Sequence, residues 1–196
     1  MICIRGYSSP LAKAVAELLP PAETLTVVGR GETITRGERH LFCQGIMTPK
    51  PISRQSKDEI TRSFWVNAGE IIRQCDMILE NNDGARVCVI GSESGFAWSY
   101  DGAYAAAKAS LHRYVETKKL RTPQQQLVCI APSIISDGGM TLRREDTEVL
   151  ATKGNAHPKG RFLTCAEVAR LIHHVLYVDE GYLSGVVIRM NGGLHT

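Results

Sequence analysis

The chain has 196 residues, enough for one α/β core and short of two ordinary domains. With 43% hydrophobic and 22% charged residues it reads as globular rather than disordered, and a net charge of +3, evenly spread, offers no basic face for nucleic acid. No apolar run approaches the ~20 residues of a membrane span, and Met1 leads straight into Ile2, Cys3 and Ile4 without a leader pattern, so a cytoplasmic protein that binds neither membrane nor nucleic acid is expected.

Short runs rich in Val, Ile and Cys alternate with longer stretches of helical period, the pattern of β-α-β units winding around a parallel sheet. The first strand spans 2–5. Gly6 follows it, and Leu11, Val15 and Leu18 predict a helix over 9–19, closed by Pro20 and Pro21. A second strand, 24–28, is separated from the next, 40–44, by a stretch too short for a crossover helix, with 32–35 read as a short extra strand. A long helix over 55–80 carries Ile60, Phe64, Ile71, Cys75 and Ile78 along one stripe, and Asn67 falls where an apolar residue is expected. Next come a strand at 85–91, a helix over 102–119 and a strand at 126–130. The charged, Gly-containing stretch up to 162 reads as a mobile lid over a site, and a helix over 164–178 and a strand at 185–189 close the chain. This order predicts a single domain over 1–196, a three-layer doubly wound α/β Rossmann fold with a mainly parallel sheet and one crossover helix missing. The six cysteines, Cys3, Cys43, Cys75, Cys88, Cys129 and Cys165, form no C-x-x-C pair and read as small core residues of a reducing compartment; no metal site is expected.

Tyr104 and Lys108 stand four apart in GAYAAAKASL and so share a helix face. A phenol titrates near pH ~10, and a neighbouring ammonium favours its ionised form, so the pair suits proton exchange with a carbonyl or alcohol oxygen while hydride moves at carbon. The strand before this helix ends in IGSESGF, and ligands of open α/β sheets sit at such carboxyl ends. Ser92 is placed there to hold the substrate oxygen; Ser94 competes for the role, and spacing from Tyr104 favours Ser92.

Strand, serine, Y-x-x-x-K helix and the following LVCIAPSII together resemble the short-chain dehydrogenase/reductase family over nearly the whole chain. The resemblance implies an NAD(P)-dependent oxidoreductase acting on a small-molecule carbonyl or alcohol, with Asn67, Ser92, Tyr104 and Lys108 as its catalytic residues. Asn67, in FWVNAGE, would hold a water for proton relay, and Lys108 would lower the Tyr104 pKa and contact the nicotinamide ribose. The stretch 132–135 is similar to the family segment beyond its sixth strand, which implies contacts of Pro132 and Ile135 with the cofactor, with Ser133 where the family has glycine. Pairing through the long helices into a homodimer or homotetramer is also implied, with Ala103, Ala107 and Trp65 permitting close contact.

The chain departs from the family at the nucleotide loop TGxxxGxG, which here reads Arg5, Gly6, Tyr7, Ser8, Ser9, Pro10, Leu11, Ala12 and keeps only the first glycine. The six residues from Gly6 to Leu11 are still expected along the pyrophosphate: Gly6 makes the tight turn, and the helix start behind it offers N–H groups, less the one Pro10 lacks. Arg30 stands after the second strand where an acidic residue would meet the adenosine ribose, which favours the 2′-phosphate of NADP(H) over NAD. Phe42, Cys43, Gln44 and Gly45 replace Asn-Asn-Ala-Gly, and Gly45 keeps the backbone close to the cofactor. The eroded loop supports a rival reading, a non-catalytic dinucleotide-binding sensor or scaffold, and an isomerase or epimerase is a third.

Overall fold

The computed structural model describes residues 1–97 and 99–194. Six strands, β1 (Ile2–Arg5), β2 (Leu25–Val28), β3 (Arg39–Phe42), β4 (Arg86–Ile90), β5 (Gln126–Pro132) and β6 (Val186–Met190), pair in the order β2-β1-β3-β4-β5-β6, and every pairing is parallel. The helices are α1 (Pro10–Ala16), α2 (Lys57–Phe64), α3 (Glu70–Asn81), α4 (Gly102–Thr117), α5 (Thr147–Asn155) and α6 (Cys165–His173). Central strands covered on both faces must be apolar on both, and they are. Ile2, Ile4, Leu41, Val128 and Ile130 meet α1 and α6 on one side, and Phe42, Val87, Val89, Leu127 and Cys129 meet α3 and α4 on the other. The chain runs outward from β1 to β2 and returns to β3 on the opposite side of β1, so the order reverses between β1 and β3 and opens a crevice at their carboxyl ends.

The helix expected over 55–80 is two helices joined by a π-turn, Trp65–Gly69, with Asn67 inside that turn. The helix expected over 164–178 likewise passes from α6 into a π-turn, His174–Val178. Capping boxes start both: Ser56 with Glu59, and Thr164 with Glu167. The lid stretch contains a helix the sequence reading missed, α5, whose one buried residue is Gly154; with so little apolar face it carries no readable period. No helix among the described residues is long and apolar enough to cross a membrane.

Between β2 and β3 there is no crossover helix, and the strand expected at 32–35 does not form. Extended chain advances about 3.3 Å per residue against about 1.5 Å in a helix, so the short segment 29–38 crosses the sheet as an irregular strap. A strap without a ladder needs other partners for its backbone. Every carbonyl from Ile34 to Glu38 has one: Ile34 O accepts from Arg5 Nη2 (3.2 Å), Thr35 O from Asn82 Nδ2 (3.3 Å) and Arg36 O from Cys3 Sγ (3.6 Å). Gly37 O pairs with His40 Nε2 (3.0 Å) and Asn82 Nδ2 (2.7 Å), and Glu38 O accepts from Arg86 N (2.8 Å). This explains two polar side chains in a sheet face that is otherwise apolar. Arg5 and His40 are buried because they bind backbone where a helix would have presented side chains. Arg5 also donates to Gln74 Oε1 and stacks over Phe42, 4.5 Å from the ring centroid, at the positions where the nucleotide loop and FCQG depart from the family.

Burial, with the Arg5 guanidinium beside it, holds His40 down to about 4, and burial does the same for His112. Each ring is therefore neutral in the folded chain from about pH 6.5 downward until about 4, while the unfolded chain takes up a proton in that interval. A depressed base loses folding stability as pH falls through that window, by up to about 3 kcal/mol for each ring. Urea unfolding should therefore show a midpoint that drops steadily between neutrality and ~pH 4; a midpoint constant across that span would contradict the neutral assignment.

Candidate active site

Tyr104 enters the site from the first turn of α4, and that turn is held by Asp101. The Asp101 carboxylate caps the helix by accepting Tyr104 N (3.0 Å), and it also accepts Thr48 N (2.6 Å) and Gln55 Nε2 (2.9 Å). Lys108 lies one turn further along, buried, and its Nζ donates to Ile90 O at the end of β4 (2.6 Å). The ammonium stands 5.8 Å from the centroid of the Tyr104 ring. Ser92 directly follows β4 and the tight Gly91; its side chain acts on the Tyr104 phenol, lowering its pKa, and its hydroxyl accepts Ser94 N (3.2 Å). Of the two serines, Ser92 thus meets the tyrosine, and Ser94 contributes its main-chain N–H.

Burial pushes the Tyr104 phenol up, the Ser92 hydrogen bond pulls it down, and Asp101 adds to the rise. The sequence reading gave the lowering to Lys108. In the structure Lys108 points its protons at Ile90 O, and Ser92 does the lowering within a net upward shift. Burial brings Lys108 itself down to about 8.

Asn67 is buried in the π-turn, and its amide is occupied by protein. Oδ1 accepts Ile46 N (2.9 Å), while Nδ2 donates to Ile46 O (3.0 Å) and Ser63 Oγ (3.1 Å). The polar residue on an apolar stripe therefore pins the chain beyond β3 to the helix. Both amide protons are spent, so the side chain has no N–H left for a relay water.

Gly6 lies at the order reversal with φ +76, and a Cβ there would stand 2.6 Å from Gln44 N and 2.8 Å from Cys43 C. Its lack of a side chain lets the β1 and β3 ends close together. Ser9 N bonds Gly6 O (3.0 Å), Ser9 Oγ caps α1 by accepting Ala12 N (3.1 Å), and Pro10 is the first helical residue. Tyr7 and Ser8 complete the turn, whereas the Leu11 side chain is buried in the core, which leaves only its backbone for a ligand. Across the crevice, a Cβ on Gly45 would stand 3.2 Å from Asn67 Oδ1 and 3.1 Å from Met140 Cε, and one on Gly139 would stand 3.2 Å from Pro10 Cδ, so 139–140 lies close to both walls. Pro132 ends β5, beside Met190, and Ile135 bridges to Leu163. Arg30 is exposed beyond β2, as the sequence implies. Glu32, assigned in sequence to a strand, instead turns back so that its carboxylate accepts Gly29 N (2.9 Å), one residue from Arg30.

A solved structure of a short chain dehydrogenase family protein from Francisella tularensis subsp. tularensis SCHU S4 superposes with a TM-score of 0.83 at 19% identity, covering 98% of this chain and 97% of that one. An oxidoreductase of the short chain dehydrogenase/reductase family from Burkholderia thailandensis gives 0.84 at 14% identity, covering 98% and 91%. A family model described as enoyl-(acyl carrier protein) reductase matches residues 40–195. The chain belongs to the short-chain dehydrogenase/reductase family. Among curated proteins none matches. A variant of actinorhodin polyketide ketoreductase, solved with NADPH, shares the fold at a TM-score of 0.81 and 14% identity, covering 98% of this chain and 96% of that one. The oxidoreductase fold of the family is thus present without the β-α unit after β2.

Asp101, Glu93 and His112 escaped the sequence reading. Asp101 had a signal, an aspartate directly before a glycine-led helix, which is a capping position. Glu93, buried, pairs both carboxylate oxygens with Arg189 of β6 and ties the Ser92 turn to that strand; nothing local in ESG announces a partner 96 residues on.

Proposed function

We propose that this family member is an oxidoreductase that transfers hydride between NADP(H) and a small carbonyl or alcohol. The observation that carries the reading is the convergence of Tyr104, Ser92 and Lys108 from two elements onto one buried spot at the carboxyl end of β4. NADPH, when bound, supplies the hydride. Tyr104 gives the proton at its phenol oxygen, which suits a phenol kept protonated by burial. Ser92, whose side chain acts on that phenol, holds the substrate oxygen beside it as charge develops. Lys108 contacts the nicotinamide ribose once its Nζ turns from Ile90 O, and its value of about 8 makes it a donor that is readily charged or discharged near neutrality. Asn67 acts by fixing Ile46; a water relay at this helix would use main-chain carbonyls of the π-turn, where the i to i+4 ladder is displaced.

The cofactor assignment rests on the Gly6 turn, on Arg30 and on the NADPH held by a fold neighbour. Glu32 argues the other way, since a carboxylate at the end of β2 accepts ribose hydroxyls. Fluorescence titration with both reduced cofactors separates these: NADPH should bind about tenfold or more tighter than NADH, and Arg30→Ala should remove the preference. Tighter NADH would transfer the role to Glu32. The second reading is a non-catalytic scaffold, favoured by the closeness of 139–140 to Pro10 and Gly45 on the two sides of the crevice; no saturable signal with either cofactor would support it instead.

Self-association fits the outer face of α2 and α4. Phe64 and Trp65 are exposed there and border an open groove of about 530 Å³ with Ile60, Ile72 and Ser110. Ala103 and Ala107, read from sequence as contact residues, are instead fully buried in the chain's own core, because that side of α4 faces the sheet. Sedimentation of the purified chain should give a homodimer or larger, and a monomer at micromolar concentration would exclude this surface.

A further inference from the structure

His112 follows Tyr104 and Lys108 on the same face of α4, and its surroundings are built around it. A Cβ on Gly91 would overlap His112 Nε2, and one on Gly95 would stand 2.5 Å from His112 Cε1. Phe96 stacks on the ring at 4.6 Å and 28°. Within this slot Nε2 accepts the main-chain N–H of Ser92 (3.3 Å), which leaves the ring proton on Nδ1, and Nδ1 has no partner. A buried polar atom left unpaired costs about 1–3 kcal/mol, so an apolar ring would serve folding better. What the imidazole offers that phenylalanine lacks is the one bond it makes, to the residue whose hydroxyl meets Tyr104.

We propose that His112 is the positioning residue of the site: by accepting Ser92 N–H it fixes the serine turn and aims Ser92 Oγ at the Tyr104 phenol. The inference rests on reading Tyr104 as proton donor. Two anchors of the α4 face land on the end of β4 or just beyond it, Lys108 on Ile90 O and His112 on Ser92 N, so the strand end is held in register with the helix that carries Tyr104. The acceptor lone pair is kept at working pH because burial, Lys108 and Arg189 disfavour a protonated ring, against Glu93, which favours it.

The test compares His112→Phe and His112→Met, which remove the acceptor, with His112→Gln, which keeps one. NMR of the free full-length chain reads the Ser92 amide proton and the ring carbon bearing the Tyr104 hydroxyl, the latter assigned with Tyr104→Phe. The Phe and Met variants should lose the hydrogen-bonded shift of both signals while the rest of the spectrum stays folded, and the Gln variant should keep both. With NADPH and a vicinal diketone, the acceptorless variants should lose about 10- to 100-fold in kcat with NADPH affinity within twofold of the parent. An unchanged Tyr104 signal in a folded acceptorless variant overturns the proposal. So does a failure of both variants to fold, which would make His112 structural only. Absence of turnover in the parent chain would count against the oxidoreductase reading, and the NMR comparison would still decide the role of His112.

Discussion

Replacing Tyr104 with phenylalanine should lower the proposed carbonyl reduction by about 10²- to 10⁴-fold and leave NADPH binding and thermal stability nearly unchanged. The substitution deletes one oxygen from a buried ring whose backbone is held from elsewhere, by Asp101 at the helix cap, so geometry survives. What disappears is the proton donor. NADPH consumption followed by absorbance measures the effect, and undiminished turnover in the variant would remove Tyr104 from the chemistry. The same variant separates the rival classes, because a sensor that only binds dinucleotide has no turnover to lose.

Gly6→Ala should be the most damaging small substitution in the fold, costing about 2–4 kcal/mol of stability and abolishing NADPH binding. Two penalties combine. The residue sits at φ +76, where an L side chain is strained, and the new methyl would press on backbone atoms of Cys43 and Gln44, which cannot rotate away. Gly31 supplies the control, since it has the same φ of +76 with nothing within 4 Å of its would-be Cβ. Gly31→Ala should therefore cost only the conformational part, about 1–2 kcal/mol. Urea midpoints for the pair measure the difference, and equal losses would mean that crowding between β1 and β3 contributes nothing.

The sheet and its two covering layers were legible in the sequence because strands buried on both faces leave continuous apolar runs, as in Val87, Cys88 and Val89. The missing crossover was legible by length alone. What fills its place was not, since Arg5 and His40 act on backbone carbonyls 29 and 3 residues away, and no pattern of side chains encodes a bare carbonyl. Asn67 was conspicuous on its stripe, yet its partner Ile46 and the π-turn around it belong to hydrogen-bond register rather than periodicity. Tyr104, Lys108 and Ser92 could be found because a helix face and a strand end are local; the capping role of Asp101 was open to the same reasoning. Glu93 and Arg189 could not be, being joined only by the packing of β4 beside β5 and β6.

The strap over the β1 end of the sheet inverts the usual relation between a segment and its sequence. Because residues 34–38 are held by their carbonyls, which every amino acid possesses, their own side chains are only loosely specified. The specification has moved to Cys3, Arg5, His40 and Asn82, which lie beneath or beside it. Substitution within the strap is thereby tolerated except at Gly37, where φ is +112 and a Cβ would stand 2.9 Å from Met1 Cε, and a change at any of those four anchors is felt by a stretch of chain it does not belong to.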